Sequence, residues 1–269
     1  MVVLTIGKNS YGSLAESNTH LDGSIRAAAN WLGVTPDDKR RSLISAYRQI
    51  EAQVFNGTST GVTIIDLASI NAGGTGYTKG DMLAISGGTA GEGAIVEATA
   101  VASGVVTGIT LVHAGTYSVE PAATAAATTG GTGGDDCTVD LTFMDQVSDL
   151  PRTGLVDCDG RALDSTTYPT IVKEAQFLLA YMMSQDVDLE DSTGSGTNVK
   201  RVKAGSAEVE FFRPEGDNMR FPVQVWELIS CLLASSSAAA ALLGGFRGGA
   251  GDTSFFDTYP DDFDLNRGY

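Results

Sequence analysis

The chain has 269 residues, with 17 Lys and Arg against 33 Asp and Glu, a net charge of −16. That length allows one or two domains around an ordinary buried core, and 42% hydrophobic with only 7% aromatic content fits neither a disordered nor a membrane chain. The acid excess argues against broad duplex-DNA or RNA binding and against anionic membranes, since both need Lys and Arg.

The opening run has too short an apolar stretch for a signal peptide. Ser13-Leu14-Ala15-Glu16 is a capping box that predicts a helix start. Thr35 as N-cap, Pro36 at the first helical position and Asp37-Asp38 in the first turn predict a second. Leu43, Ile44, Tyr47, Ile50 and Val54 then form an apolar stripe, which Asn56-Gly57 stops.

From residue 61 the period changes. Residues 61–145 hold one base, Lys79, against nine carboxylates, and are rich in Gly, Thr, Ala and Val. Alternation at 94–99 and 105–111 predicts strands. The segment also repeats: Gly74-Thr75-Gly76-Tyr77 leads to Ser86-Gly87-Gly88-Thr89, and Ala114-Gly115-Thr116-Tyr117 to Thr129-Gly130-Gly131-Thr132. Two copies of one β unit are expected, with Tyr77 and Tyr117 at equivalent turns. Tyr168-Pro169 opens another helix through Ile171, Val172, Ala175, Leu178, Leu179 and Met182. Residues 199–203 and 207–211 flank Gly205-Ser206 as a hairpin, in which Lys200, Arg201 and Lys203 pair with Glu208 and Glu210. Phe221-Pro222 begins a last helix. The apolar stretch 229–243 is broken by Ser235, Ser236 and Ser237 and is too short to span a bilayer. The end of the chain spaces Phe255, Phe256, Tyr259, Phe263 and Tyr269 among acids, a pattern suited to an extended segment that docks its rings on a partner.

Chemistry-bearing constellations are scarce. The two histidines, His20 and His113, exclude a His-based triad or multi-His metal site. Lys79 lies in a Gly-rich run without the Ser or Thr that a phosphate loop needs next, so a turn is expected there. Asp157-Cys158-Asp159-Gly160 with Asp164 lacks the leading acid and closing Glu of a calcium loop. Asp186, Asp188, Glu190 and Asp191 read as a solvated charge run. Cys137, Cys158 and Cys231 are odd in number, far apart and without a CxxC pair. Neither a disulfide framework nor a zinc site is expected, and a soluble protein of a reducing, intracellular compartment fits best. No enzymatic activity, cofactor or metal is expected.

An ordered set of motifs resembles the tailed-phage head–tail adaptor (connector) proteins, many of them catalogued as DnaT-like single-stranded-DNA-binding proteins. Ser10-Tyr11-Gly12-Ser13-Leu14-Ala15-Glu16 and the helix around 43–55 resemble the family's opening. Leu150-Pro151-Arg152-Thr153-Gly154, Asp157-Cys158-Asp159-Gly160 and Tyr168-Pro169 resemble its middle. Val199-Lys200-Arg201-Val202-Lys203-Ala204-Gly205, Glu208-Val209-Glu210 and Phe221-Pro222 resemble its end. The likeness covers about 8–60 and 148–233; residues 61–145 depart from it and resemble β modules of phage tail and fibre proteins.

Composition, periodicity and the internal repeat predict an α+β fold. A discontinuous helical-bundle adaptor core (1–60 and 146–233) with a β-hairpin is interrupted by an inserted all-β module of two repeats (61–145) and followed by an extended C-terminal tail (234–269). The resemblance implies a virion protein at the head–tail interface, made in the host cytoplasm, forming a homo-oligomeric ring of about twelve copies. The implied partners are the portal, a neck, stopper or tail-terminator protein, and a capsid or fibre component through the β module; double-stranded DNA passes without specific binding. The tail aromatics would dock on the portal, and the hairpin at 199–212 would pair between subunits. Two other readings remain. One is single-stranded-DNA binding, with Lys39, Arg40, Arg41 and Arg48 as the basic patch. The other is carbohydrate or receptor binding through the β module, where Tyr77 and Tyr117 are few rings for a sugar platform.

Overall fold

The structure, a computed structural model, describes residues 2–24, 27–185, 201–204, 207–210 and 221–234. The chain divides into two units, Met1–Leu233 and Ala234–Tyr269, and the described helices and strands all belong to the first. The helices are α1 (Leu14–Asp22), α2 (Ala27–Leu32), α3 (Pro36–Glu51), α4 (Thr170–Ser184) and α5 (Val223–Ile229). The strands in chain order are β1 (Thr58–Ser59), β2 (Thr63–Thr75), β3 (Met82–Ile85), β4 (Thr89–Glu92), β5 (Ile95–Ala102) and β6 (Val105–His113), followed by β7 (Thr116–Val119), β8 (Ala126–Gly130), β9 (Asp135–Asp145), β10 (Arg152–Thr153), β11 (Arg201–Ala204) and β12 (Ala207–Glu210).

Local chemistry explains the starts. Ser13 and Glu16 close a reciprocal capping box on α1, and Thr35 accepts the Asp38 N–H at the head of α3, with Pro36 in its first turn. The alternation at 94–99 and 105–111 becomes the antiparallel pair β5–β6.

Eight strands form one antiparallel sheet in the order β4-β7-β2-β9-β8-β3-β5-β6. Its long spine is β2 against β9, running from Thr63 opposite Asp145 to Thr75 opposite Asp135, with bulges near Leu67 and Ala72. The sheet curls, because β6 returns beside β2: the Ile65 N–H donates to Ala114 O (2.9 Å) and the Tyr77 N–H to Gly104 O (3.0 Å). Ile65, Tyr77, Leu83, Val96, Val106, Tyr117, Cys137 and Val139 are enclosed. A second cluster joins Tyr11, Trp31, Leu43, Ile50 and Phe55 to Leu150, Leu155, Tyr168, Val172, Leu179, Phe221, Val225 and Ile229.

This overturns the expected α+β class with a helical-bundle core. The fold is mostly β, an eight-stranded antiparallel sheet with a few short helices. The apolar stripes do become α3 and α4, of 16 and 15 residues, but α1 has nine, α2 six and α5 seven. A seven-residue helix rises only about 10 Å, too little to line a bundle, and takes its stability from what it packs on. The stripe on α3 also ends early: Ala52 caps it and Val54 is exposed.

The two-copy reading fails in detail as well. Tyr117 sits inside β7, paired with Thr63 and Ala90, whereas Tyr77 follows β2 in a loop. Both rings are buried in the one core. Two glycines after β8 make room for Tyr77: a Cβ on Gly134 would overlap its ring, and one on Gly131 would press on both Tyr77 and Asp81. Asp81 closes this corner by accepting N–H and hydroxyl bonds from Thr78 and Thr132. Gly134→Val is expected to cost about 2–3 kcal/mol by displacing that ring, read as a lowered thermal midpoint; an unchanged midpoint would show that the ring has room to move.

Candidate functional site

Of the basic patch read on α3, one cation is buried and two are paired with acids of their own helix. Lys39 is buried; its Nζ lies 5.2 Å from the centre of the Trp31 ring and donates to Asn18 Oδ1 at 3.2 Å. Burial holds its ammonium below the usual lysine range. Arg40 pairs with Asp37 (3.1 Å) and Arg41 with Asp38 (2.9 Å), each one helical turn away. Arg48 is exposed on the same helix.

The remaining sequence candidates are scattered. Lys79 occupies the turn between β2 and β3. Asp157 Oδ1 accepts the backbone N–H groups of Asp159 (3.0 Å) and Arg161 (2.8 Å), and Asp164 Oδ1 accepts from Thr166, so local bonds occupy these carboxylates. Among the described residues no group of three or more His, Cys, Asp and Glu could hold a metal ion, and no helix is long and apolar enough to cross a membrane. In the hairpin, β11 and β12 pair with Arg201 opposite Glu210 and Lys203 opposite Glu208. Lys200, Asp186, Asp188, Glu190, Asp191 and the tail aromatics Phe255, Phe256, Tyr259, Phe263 and Tyr269 lie outside the described residues.

One expectation is reversed. Cys158 and Cys231 form a disulfide across 73 residues, with Cα atoms 5.2 Å apart. Spacing along the chain could not foretell it, because the turn at 157–160 meets the end of α5 only after folding. Cys137 stays free and buried.

Three polar side chains, one buried and two half-buried, none singled out by the sequence, tie the distant segments together. Gln176 on α4 is fully buried; its Oε1 accepts the Tyr11 N–H (3.0 Å), and its Nε2 donates to Ser10 Oγ (2.9 Å) and Leu43 O (2.9 Å). Glu51, at the end of α3, accepts the Tyr11 hydroxyl (2.6 Å), the Ser148 hydroxyl and the Asp149 N–H (2.9 Å). Burial raises its pKa, against the pull of those donors. Glu92 ends β4. Its Oε1 accepts the Tyr168 N–H (3.0 Å) and lies 3.6 Å from Lys173 Nζ, while its Oε2 meets His113 Nε2 at 2.8 Å. His113 Nδ1 accepts the Gly115 N–H (2.9 Å), which puts the proton on Nε2 as donor to Glu92. Burial alone would raise the Glu92 pKa, but the His113 bond and the Lys173 charge outweigh it and hold the carboxyl below its ordinary value.

An apolar cavity of about 400 Å³ lies between the N-terminal segment, α1 and the β3-β5-β6 face, lined by Val3, Leu4, Leu14, Met82, Thr99 and Val112 with Arg40 and Glu97. No described aromatic residue is exposed; the large apolar side chains at the surface are Leu, Val and Met. Tyr77 and Tyr117, both buried, cannot serve as a sugar platform.

Comparison with known families gives one finding. Residues 141–244 are similar to the family described as "Putative DnaT-like ssDNA binding protein". The match begins within β9 and contains α4, the hairpin and α5; it omits α3 and its arginines. No curated protein and no solved structure matches the chain.

Proposed function

We propose that the chain is a non-catalytic structural protein of a tailed bacteriophage. In this reading it is a head–tail adaptor that assembles as a ring between the portal and the next neck or tail component and lines the DNA channel. The observation that carries the reading is the joint made by Gln176, Glu51 and Arg152. The motifs resembling the adaptor family lie at 8–60 and 148–233, and it is these residues that meet there. Tyr11 bonds to Gln176 and Glu51, and Arg152 donates to the carbonyls of Asn56 (2.9 Å) and Gly57 (2.8 Å). The charge of −16 adds support, because an acidic bore lets duplex DNA slide without holding it. In the same reading Phe255, Phe256, Tyr259, Phe263 and Tyr269 anchor the chain on the portal, and Lys200, Arg201, Lys203, Glu208 and Glu210 serve contacts between subunits. Light scattering of the pure protein with and without its portal is the test. A ring-sized complex is expected, weakened by deletion of residues 250–269. A chain that stays monomeric and never associates would sink the reading, and unchanged portal binding after the deletion would remove the anchor.

The family match favours a second reading, single-stranded-DNA binding by residues 141–244. Its cations would be Lys200, Arg201 and Lys203. It predicts retention of a single-stranded oligonucleotide that weakens with salt and falls on alanine substitution of those three. Absence of retention even at about 50 mM salt would leave the structural reading alone.

A further inference from the structure

The end of α5 is gripped from several sides. The Asn56 side-chain amide donates to the carbonyls of Cys231 (3.3 Å) and Leu233 (3.0 Å), and the Asn56 N–H donates to Leu232 O (2.8 Å). Phe55 and Leu233 form an antiparallel bridge. To this grip the disulfide adds the one covalent tie, from half-buried Cys231 to Cys158 in an exposed turn. A helix of seven residues has little stability of its own, so the hold on α5 rests on the buried faces of Val225, Ile229 and Leu232, on Asn56 and on that tie.

We propose that Cys158–Cys231 is a reversible redox latch, opened and closed by exchange with low-molecular-weight thiols and disulfides of the glutathione class, which sets how firmly α5 and residues 231–233 are held. Cys158 is the more exposed of the two residues, so its sulfur is taken as the one attacked. On opening, an external thiolate attacks it, forming a mixed disulfide and expelling the Cys231 thiolate, which takes up a proton. A second external thiolate attacks the small-molecule sulfur, expelling the Cys158 thiolate, which is protonated in turn. Two external thiols become one external disulfide, and two electrons pass to the protein. Closing is the reverse, with the external disulfide as oxidant. Cys137, buried in the core of the sheet, takes no part. With the latch closed, a pull on the chain beyond residue 233 is carried by a covalent bond to residue 158 rather than by one short helix.

The test uses the full-length chain equilibrated in reduced or oxidised glutathione. After denaturation the reduced form should show three thiols and the oxidised form one, with a mass lower by about 2 Da. Hydrogen exchange at the Trp226, Ser230 and Leu232 amides should be at least about tenfold faster in the reduced form, while β5 exchanges alike in both. The C158S/C231S variant should match the reduced protein and ignore the oxidant. Three thiols under oxidising conditions, equal exchange in the two forms, or a change spread evenly over the sheet would each overturn the proposal; the last outcome marks a general staple. None of these readouts depends on portal or DNA binding.

Discussion

Replacing Gln176 with Leu is expected to destabilise the chain by about 3 kcal/mol, although the substitution adds apolar surface to a buried site. Leu fits the volume but strands the Tyr11 N–H, whose acceptor is the Gln176 Oε1, in a place with no exposure. The Ser10 hydroxyl and Leu43 carbonyl lose a donor too, but they are partly compensated, since Ser10 Oγ still donates to Gly12 O and Leu43 O lies within α3. One orphaned buried N–H at about 1–3 kcal/mol plus two weakened bonds gives the figure. In a chain of this size it corresponds to a fall of roughly 6–12 °C in the thermal midpoint. Gln176→Glu separates shape from bonding. The carboxylate keeps an acceptor for Tyr11 but faces the Leu43 carbonyl with no proton to give. Buried there, the new acid holds its proton longer when folded than when unfolded, so this variant should regain stability as the pH falls. A Leu variant as stable as the parent would show that Tyr11 finds another acceptor.

Much of the local structure was legible because it is written in neighbouring residues. Ser13 and Glu16, Thr35 and Pro36, and Phe221-Pro222 act within one turn of chain, and each opens a helix where the sequence marked it. What escaped depends on residues that meet only after folding. The curling of β6 onto β2 rests on the Ile65–Ala114 and Tyr77–Gly104 backbone bonds, which no periodicity encodes. Helix lengths misled for the same reason: stripes predict which face is buried, not that α5 stops after seven residues on a mostly β body. The buried polar joint did leave a trace. Gln176 stands within the α4 stripe of Val172, Ala175, Leu179 and Ala180, and Glu51 adjoins Tyr47 and Ile50 on α3. A polar residue on an otherwise apolar face carries a high cost unless partnered, so such positions announce a network before its members are known.

Stability should pass through a maximum in the weak-acid range, because two half-buried carboxyls titrate with opposite effect. Glu51 has a raised folded pKa. Between its ordinary value of 4.5 and that raised value the folded state binds more protons than the unfolded, so acidification through this window adds stability. Glu92 has a depressed folded pKa. Its contribution is fully present above 4.5 and is lost as the pH falls through the depressed value, when the neutral acid no longer pairs with His113 and Lys173. Asp81 and Asp164 are depressed as well, each by hydrogen bonds from neighbouring threonines, and steepen the same acid limb. Near neutral pH, Glu92→Ala is expected to cost about 2–4 kcal/mol, since it leaves Lys173, the His113 N–H and the Tyr168 N–H without their common acceptor. Urea unfolding between pH 3 and 7 distinguishes the two groups. Glu51→Gln should flatten the rise on the weak-acid side and leave the fall below it. Glu92→Gln should do the opposite, shrinking the acid fall. If Glu92→Gln leaves that fall unchanged, the carboxylate is not what joins β4 to α4, and Tyr168 and Lys173 are held by packing alone.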